Sequence, residues 1–317
     1  MSSLRFIPFI LFISILVTSC ERESVEDMKT LNVLFIGSSF GVNTVAQFPA
    51  MAKNAGVDVL MVSAYQGGLT LSDIKRIIID DSKFDNIFNF SSRRRKWEAM
   101  KSMPISSLLG CCDWDVVILQ RAAPGKTGGS DRWTTDMEDD LSFILDYIKL
   151  RIRSDASVLF NTCFSRPVNS FSRGREEQLV QTELIVSSSL IIQNRFDVEV
   201  IPSAYVIQYA RNTDISYFPT TNSSHFSIPD ITGDGHHLDT GLGSYILGCL
   251  LFEQVCGSIW GISIIDNDYV PSLSDVHGFV FDDKYYTQIT REEATIAKTC
   301  VISAYNNYRR FVDSMND

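Results

Sequence analysis

Four short stretches of this sequence hold the side chains and backbone groups of nucleophilic chemistry at a carbonyl. Gly37-Ser38-Ser39-Phe40 follows the apolar run Leu31 to Ile36, and Asp234-Gly235-His236-His237-Leu238 stands far downstream. Between them lie Gly67-Gly68-Leu69-Thr70, after Val57 to Ala64, and Gln120, after Trp114 to Leu119. A serine hydroxyl is a weak nucleophile until a neighbouring base takes its proton. An imidazole steered by a carboxylate can act as that base. Backbone amides and a carboxamide side chain are donors for the anion such an attack creates. Taken singly each stretch says little, since Gly-Ser pairs at strand ends are common.

Side chains so far apart in sequence need a scaffold that gathers them. Apolar runs at 31–36, 57–64, 114–119, 158–164 and 198–202 read as strands. They alternate with helical patterns at about 43–55, 71–79, 135–151, 176–194, 240–255 and 291–315. In the third of these helical patterns, 135–151, Leu141, Ile144, Leu145 and Ile148 fall on one face. This order implies an α/β fold, a three-layer α/β/α sandwich around a central parallel sheet of about five strands. In such sheets ligands bind beyond the carboxyl ends of the strands, where the four stretches fall.

The combination Gly37-Ser38-Ser39-Phe40, Gly67-Gly68, Trp114-Asp115-Val116-Val117-x-Leu119-Gln120 and Asp234-Gly235-x-His237-Leu238 resembles the SGNH (GDSL) hydrolases. More narrowly it looks like their DUF4886 branch, over about Val33 to Glu253. The resemblance implies a flavodoxin-like fold, with Ser39 as nucleophile, His237 as general base and Asp234 as its orienting acid. It also implies an oxyanion hole made by the Ser39 and Gly68 amides, with Gly67 the near alternative. Gln120 stands where those enzymes carry an asparagine donor. The implied activity is a serine esterase that removes acyl (acetyl) groups from carbohydrates through an acyl-serine intermediate. No cofactor and no metal are expected. The alternatives are a lipid or aryl esterase, an acyltransferase, and a non-catalytic glycan-binding lipoprotein on the same fold.

Rival motifs fit less well. Gly37-x-Ser39-x-Gly41 satisfies the elbow of α/β-hydrolases. That elbow follows several strands and takes its acid and histidine from separate loops, whereas Ser39 follows the first strand and Asp234 and His237 are close neighbours. Gly125-Lys126-Thr127 falls short of a P-loop, because Gln120 occupies the place of its first glycine. Asp234, His236, His237 and Asp239 are too close in sequence to point at one metal ion. Spacing in the resembled family selects His237 over His236. His225 and His277 read as surface or structural residues, Trp114 as core, and Arg121 as either a surface residue or a substrate contact.

Arg5, the apolar run Phe6 to Val17 and Val17-Thr18-Ser19-Cys20 have the layout of a signal peptide, with a cut site that resembles the bacterial lipobox. That implies a signal segment over 1–19, lipidation of Cys20, a tether over 20–30 and one domain over 31–317. The protein is then exported and anchored to a bacterial membrane through Cys20, at the periplasmic face or cell surface. A net charge of −10 argues against a nucleic-acid partner. The basic run Arg93 to Lys96 reads as solvated surface, with a contact for an anionic substrate or a membrane headgroup as the alternative. The other cysteines (Cys111, Cys112, Cys163, Cys249, Cys256 and Cys300) include several in apolar strings, where cysteine acts as a small core residue.

Overall fold

Leu31 to Ile36 is apolar at every position but Asn32, the pattern of a strand covered on both faces. In the computed structural model, which describes residues 29–91, 96–121, 133–218, 230–279 and 283–316, this run lies in the middle of a seven-stranded sheet. The strands are β1 (Lys29–Gly37), β2 (Val57–Tyr65), β3 (Asn86–Ser91), β4 (Lys96–Ala99), β5 (Val116–Gln120), β6 (Ser157–Asn161) and β7 (Glu199–Ile201). Their spatial order is β4-β3-β2-β1-β5-β6-β7. Strands β2, β1, β5, β6 and β7 are parallel, in the 2-1-3-4-5 order of flavodoxin-like sheets. The expected five-stranded parallel sheet is therefore present, widened by the antiparallel ribbon β3–β4 beside β2.

The helices that cover or flank the sheet are α1 (Ser39–Val45), α2 (Phe48–Asn54), α3 (Leu71–Ile79), α4 (Thr135–Lys149), α5 (Arg175–Phe196), α6 (Ser203–Arg211), α7 (Leu242–Phe252) and α8 (Arg291–Asn316). Alternation along the strands separates two cores. Val33, Phe35, Val116 and Ile118 pack with α1, α2, α6, α7 and α8. Leu34, Ile36, Val117 and Leu119 pack with α3, α4 and Trp114 on the other face. Helix α7 is buried along its whole length, which explains why it is apolar all round rather than amphipathic.

Several boundaries differ from the sequence reading. The single helix expected over about 43–55 is two, with α1 starting at Ser39 and a break at Ala46-Gln47. Pro49 lies in the first turn of α2, where its missing N–H costs nothing; a continuous helix would place it in the interior. Strand β1 begins at Lys29 and so takes in the end of the expected tether. Strand β6 stops at Asn161 rather than running on to Phe164, and α6 was not anticipated. Residues 86–91 and 96–99 supply the ribbon, which packs through Trp97 stacked on Phe279 at 3.8 Å. Trp114 is core, as read, and its indole N–H donates to Leu108 O. Cys163, Cys249, Cys256 and Cys300 are buried thiols, and no disulfide occurs among the described residues. Cys20 with the signal segment, Arg93 to Arg95, Gly125-Lys126-Thr127 and His225 lie outside the described residues.

Candidate active site

Strand β1 ends at Gly37 and α1 begins at Ser39, so the hydroxyl stands at the carboxyl edge of the sheet on the first residue of a helix. The turn between them is tight because Gly41 N–H donates to Ser38 O. Beneath it, strands β5 and β6 end in the paired residues Gln120 and Asn161, both fully buried. Asn161 Nδ2 donates to Thr44 Oγ1 at 2.9 Å and pins the far end of α1. Gln120 Oε1 accepts from Ser38 N at 3.3 Å and from Ser38 Oγ at 3.1 Å, which pins the near end. A side chain on Gly41 would collide with this arrangement, since its Cβ would meet Phe35 Cζ at 2.2 Å and Gln120 Oε1 at 2.4 Å.

The resemblance placed the Gln120 carboxamide in the oxyanion hole. The geometry shows its oxygen clamping the serine turn through Ser38, while its Nε2 is buried and has no hydrogen-bond partner among the described residues. Gly68 lies on the loop after β2, which is hooked to the serine turn by Gln66 N–H donating to Gly37 O at 3.1 Å. Gly68 has φ +71°, a conformation that favours glycine, and both it and Gly67 are exposed.

The second half of the site is a turn closed by the Thr232–Leu238 bridge, with Gly233 N–H donating to His237 O. Asp234 opens the turn and accepts on one oxygen from the N–H groups of His236 (2.8 Å) and His237 (2.6 Å). Its other oxygen lies 2.8 Å from His237 Nδ1. The opposite imidazole nitrogen, Nε2, lies 3.0 Å from Ser39 Oγ. Three residues read from the sequence therefore meet in one hydrogen-bonded chain. Burial pushes the Asp234 carboxyl up, but the bonds and charge interaction with His237 and the bond from the His236 N–H outweigh it, and the carboxyl is held down at about 2.

Side chains not singled out in the sequence fasten this turn to the serine helix. Asn43 on α1 donates to the carbonyl of Leu238, directly after the histidine, at 3.3 Å and to Ser244 Oγ at 2.9 Å. Gln47 donates to Thr240 O at 2.9 Å. Asp239 accepts from Gly241 N, Leu242 N and Thr287 Oγ1 and so fixes the start of α7. The His236 Nδ1 meets Arg166 Nη1 at 3.3 Å, and its ring stands edge-on to His237 and Phe40. His277 is a surface residue beside Asp283. Arg121 meets the Met137 sulfur at 3.4 Å. No cluster of metal-ligating side chains occurs among the described residues.

A family described as "Domain of unknown function (DUF4886)" matches residues 32–278. The crystal structure of a DUF4886 family protein from Bacteroides uniformis ATCC 8492 has a TM-score of 0.68 at 21% identity, over 87% of this chain and 95% of that one. That likeness shows a shared fold. A GDSL-like lipase from Bacteroides thetaiotaomicron VPI-5482 has a TM-score of 0.40 at 13% identity, over 72% of this chain and 89% of that one. Among curated proteins nothing matches the chain.

Proposed function

For this chain, which belongs to the DUF4886 family, we propose a serine esterase of the SGNH (GDSL) type with Ser39, His237 and Asp234 as its catalytic triad. The observation that carries the reading is the unbroken contact from Ser39 Oγ through the His237 imidazole to the Asp234 carboxylate, at 3.0 Å and 2.8 Å. His237 Nε2 takes the hydroxyl proton as Ser39 Oγ adds to the ester carbonyl. The oxyanion meets the N–H of Ser39 at the start of α1 and that of Gly68 on the adjoining loop. The imidazolium then gives its proton to the departing alcohol oxygen, and the acyl group stays on Ser39. Water, deprotonated by the same imidazole, attacks the acyl-serine and releases the acid. Asp234 stays ionised throughout and holds the Nδ1–H tautomer.

The proposed substrates are acyl groups, acetyl first among them, on carbohydrates, and the proposed location is a membrane surface reached through lipidated Cys20. The resemblance to the SGNH hydrolases supports the first point, and the lipobox-like Val17-Thr18-Ser19-Cys20 supports the second. The assembled triad weighs against a binding protein that has given up turnover. Acetate release from acetylated sugars and from 4-nitrophenyl acetate tests the reading. Ser39→Ala should lower the rate by about 10⁴-fold or more. Equal rates for the two proteins would remove the nucleophile assignment. Activity on lipid or aryl esters with none on sugar acetates would move the substrate class and leave the triad standing.

A further inference from the structure

The most heavily built polar structure outside the triad surrounds residues 165–168, the segment after β6 at the same carboxyl edge as Ser39. Arg211 and Asp230 form an ion pair with neither side chain exposed to solvent. Asp230 accepts from Val168 N–H and from Gln178 on α5. Arg211 donates to Ser165 O and Oγ. Arg166 is held from both sides of its backbone: its N–H donates to Gln181 Oε1 and its carbonyl accepts from Gln178 Nε2, each at 2.8 Å. Gln178 and Gln181 are themselves buried. Burying two charges and two carboxamides is costly even when they are paired, so such a frame is a poor way to gain stability alone. What it does is fix the backbone of one partly exposed arginine.

That arginine faces the triad. Its Nη1 meets His236 Nδ1 at 3.3 Å, and the His236 ring is edge-on to His237 at 4.7 Å between centroids. A guanidinium one ring away from the general base, on a segment that cannot drift, is suited to a carboxylate by charge and by its forked donors. The chain as a whole carries a net charge of −10, so an anionic substrate gains nothing from the overall field and needs a local cation. We propose that Arg166 is a specificity residue that binds a carboxylate on the substrate, and that the preferred substrates are acyl esters of acidic sugars such as uronic acids. This rests on the esterase reading and narrows it.

Acetylated glucuronic acid compared with acetylated glucose is the direct test, with acetate release as the readout. The wild type should favour the acid in kcat/KM by roughly ten- to a hundredfold, the worth of a charge-assisted bond. Arg166→Gln should reduce that ratio to near unity through KM, and Arg166→Lys should restore part of it. The preference should also weaken with added salt. Calorimetry of glucuronate with Ser39→Ala reads the subsite without turnover, and binding there should disappear in Ser39→Ala/Arg166→Gln. Hydrolysis of both sugars with equal kcat/KM in the wild type overturns the carboxylate subsite and leaves the esterase intact. Glucuronate binding without any ester turnover keeps the subsite and removes the esterase. No glucuronate binding removes the subsite whatever the turnover.

Discussion

The two halves of the site are held in place by different means. Ser39 stands between a central strand and a helix, and its turn is clamped from below by Gln120 and Asn161 at the ends of neighbouring strands. His237 stands on a turn outside the sheet, beside Ile231, a β-branched residue at φ +40°. Such a conformation costs about 1–3 kcal/mol and persists only where surrounding contacts enforce it. The turn is fastened by Ile231 and Leu238 buried in the core, by Asp239 N–H donating to Ile231 O, and by the polar contacts of Asn43, Gln47 and the Asp239 side chain. Damage to the serine half should therefore appear mainly as lost stability. Damage to the histidine half should appear mainly as lost turnover in a protein that still folds.

Asp234→Asn removes the acid while keeping the shape of the turn, and it should produce the largest effect among changes on the histidine side. Loss of the tautomer restraint should lower kcat by about 10⁴-fold, with KM little changed. Wild-type Asp234 also contributes to acid stability, with a sign that follows from its position. The folded carboxyl is held at about 2, below its ordinary value of 3.8. Its stabilisation is thus fully present above the ordinary value and is lost as the pH falls through about 2. An acid unfolding titration should lose that component in Asp234→Asn. A fall in the wild-type rate well above pH 4 belongs to another group.

Asn43→Ala cuts the contact between the serine helix and the carbonyl after His237. Displacement of a catalytic group by about an ångström can cost about a hundredfold in rate. Steady-state kinetics should show kcat down by roughly ten- to a hundredfold with KM nearly unchanged. Loss of as much activity in Gln47→Ala as in Asn43→Ala would shift the weight to the contact with Thr240.

Gly41→Ala probes the opposite half and should give the smallest change in turnover per folded molecule. Its added methyl group would press on Phe35 and Gln120, and overpacking of this kind costs about 1–3 kcal/mol. Denaturant melts should show that loss, with activity following the folded fraction. Full stability with abolished turnover would erase the distinction between the two halves.

The parallel core was legible for a physical reason. Strands covered on both faces leave unbroken apolar runs, and Ser39 directly follows one of them, whereas Asp234 and His237 lie on a turn outside the sheet and were read through the family resemblance. The ribbon was not legible because Asn86 to Ser91 mixes polar and apolar residues and its partner strand is short. The break in the helix after β1 depends on where Pro49 falls relative to a helix start, which composition does not mark. Asn43 and Arg166 act through partners far away in the chain, at Leu238, Ser244 and His236, so no local pattern announces them. The contact of Gln120 with Ser38 was not legible either, because it joins the ends of two strands that are far apart in the chain.

The central claim is that His237 activates the hydroxyl of Ser39, and a fluorophosphonate probe read by peptide mass spectrometry tests it most directly. The wild type should acquire one adduct, on the peptide carrying Ser39, and His237→Ala should remain unlabelled over the same time. An adduct on a different serine, or labelling of His237→Ala at the wild-type rate, would contradict the account.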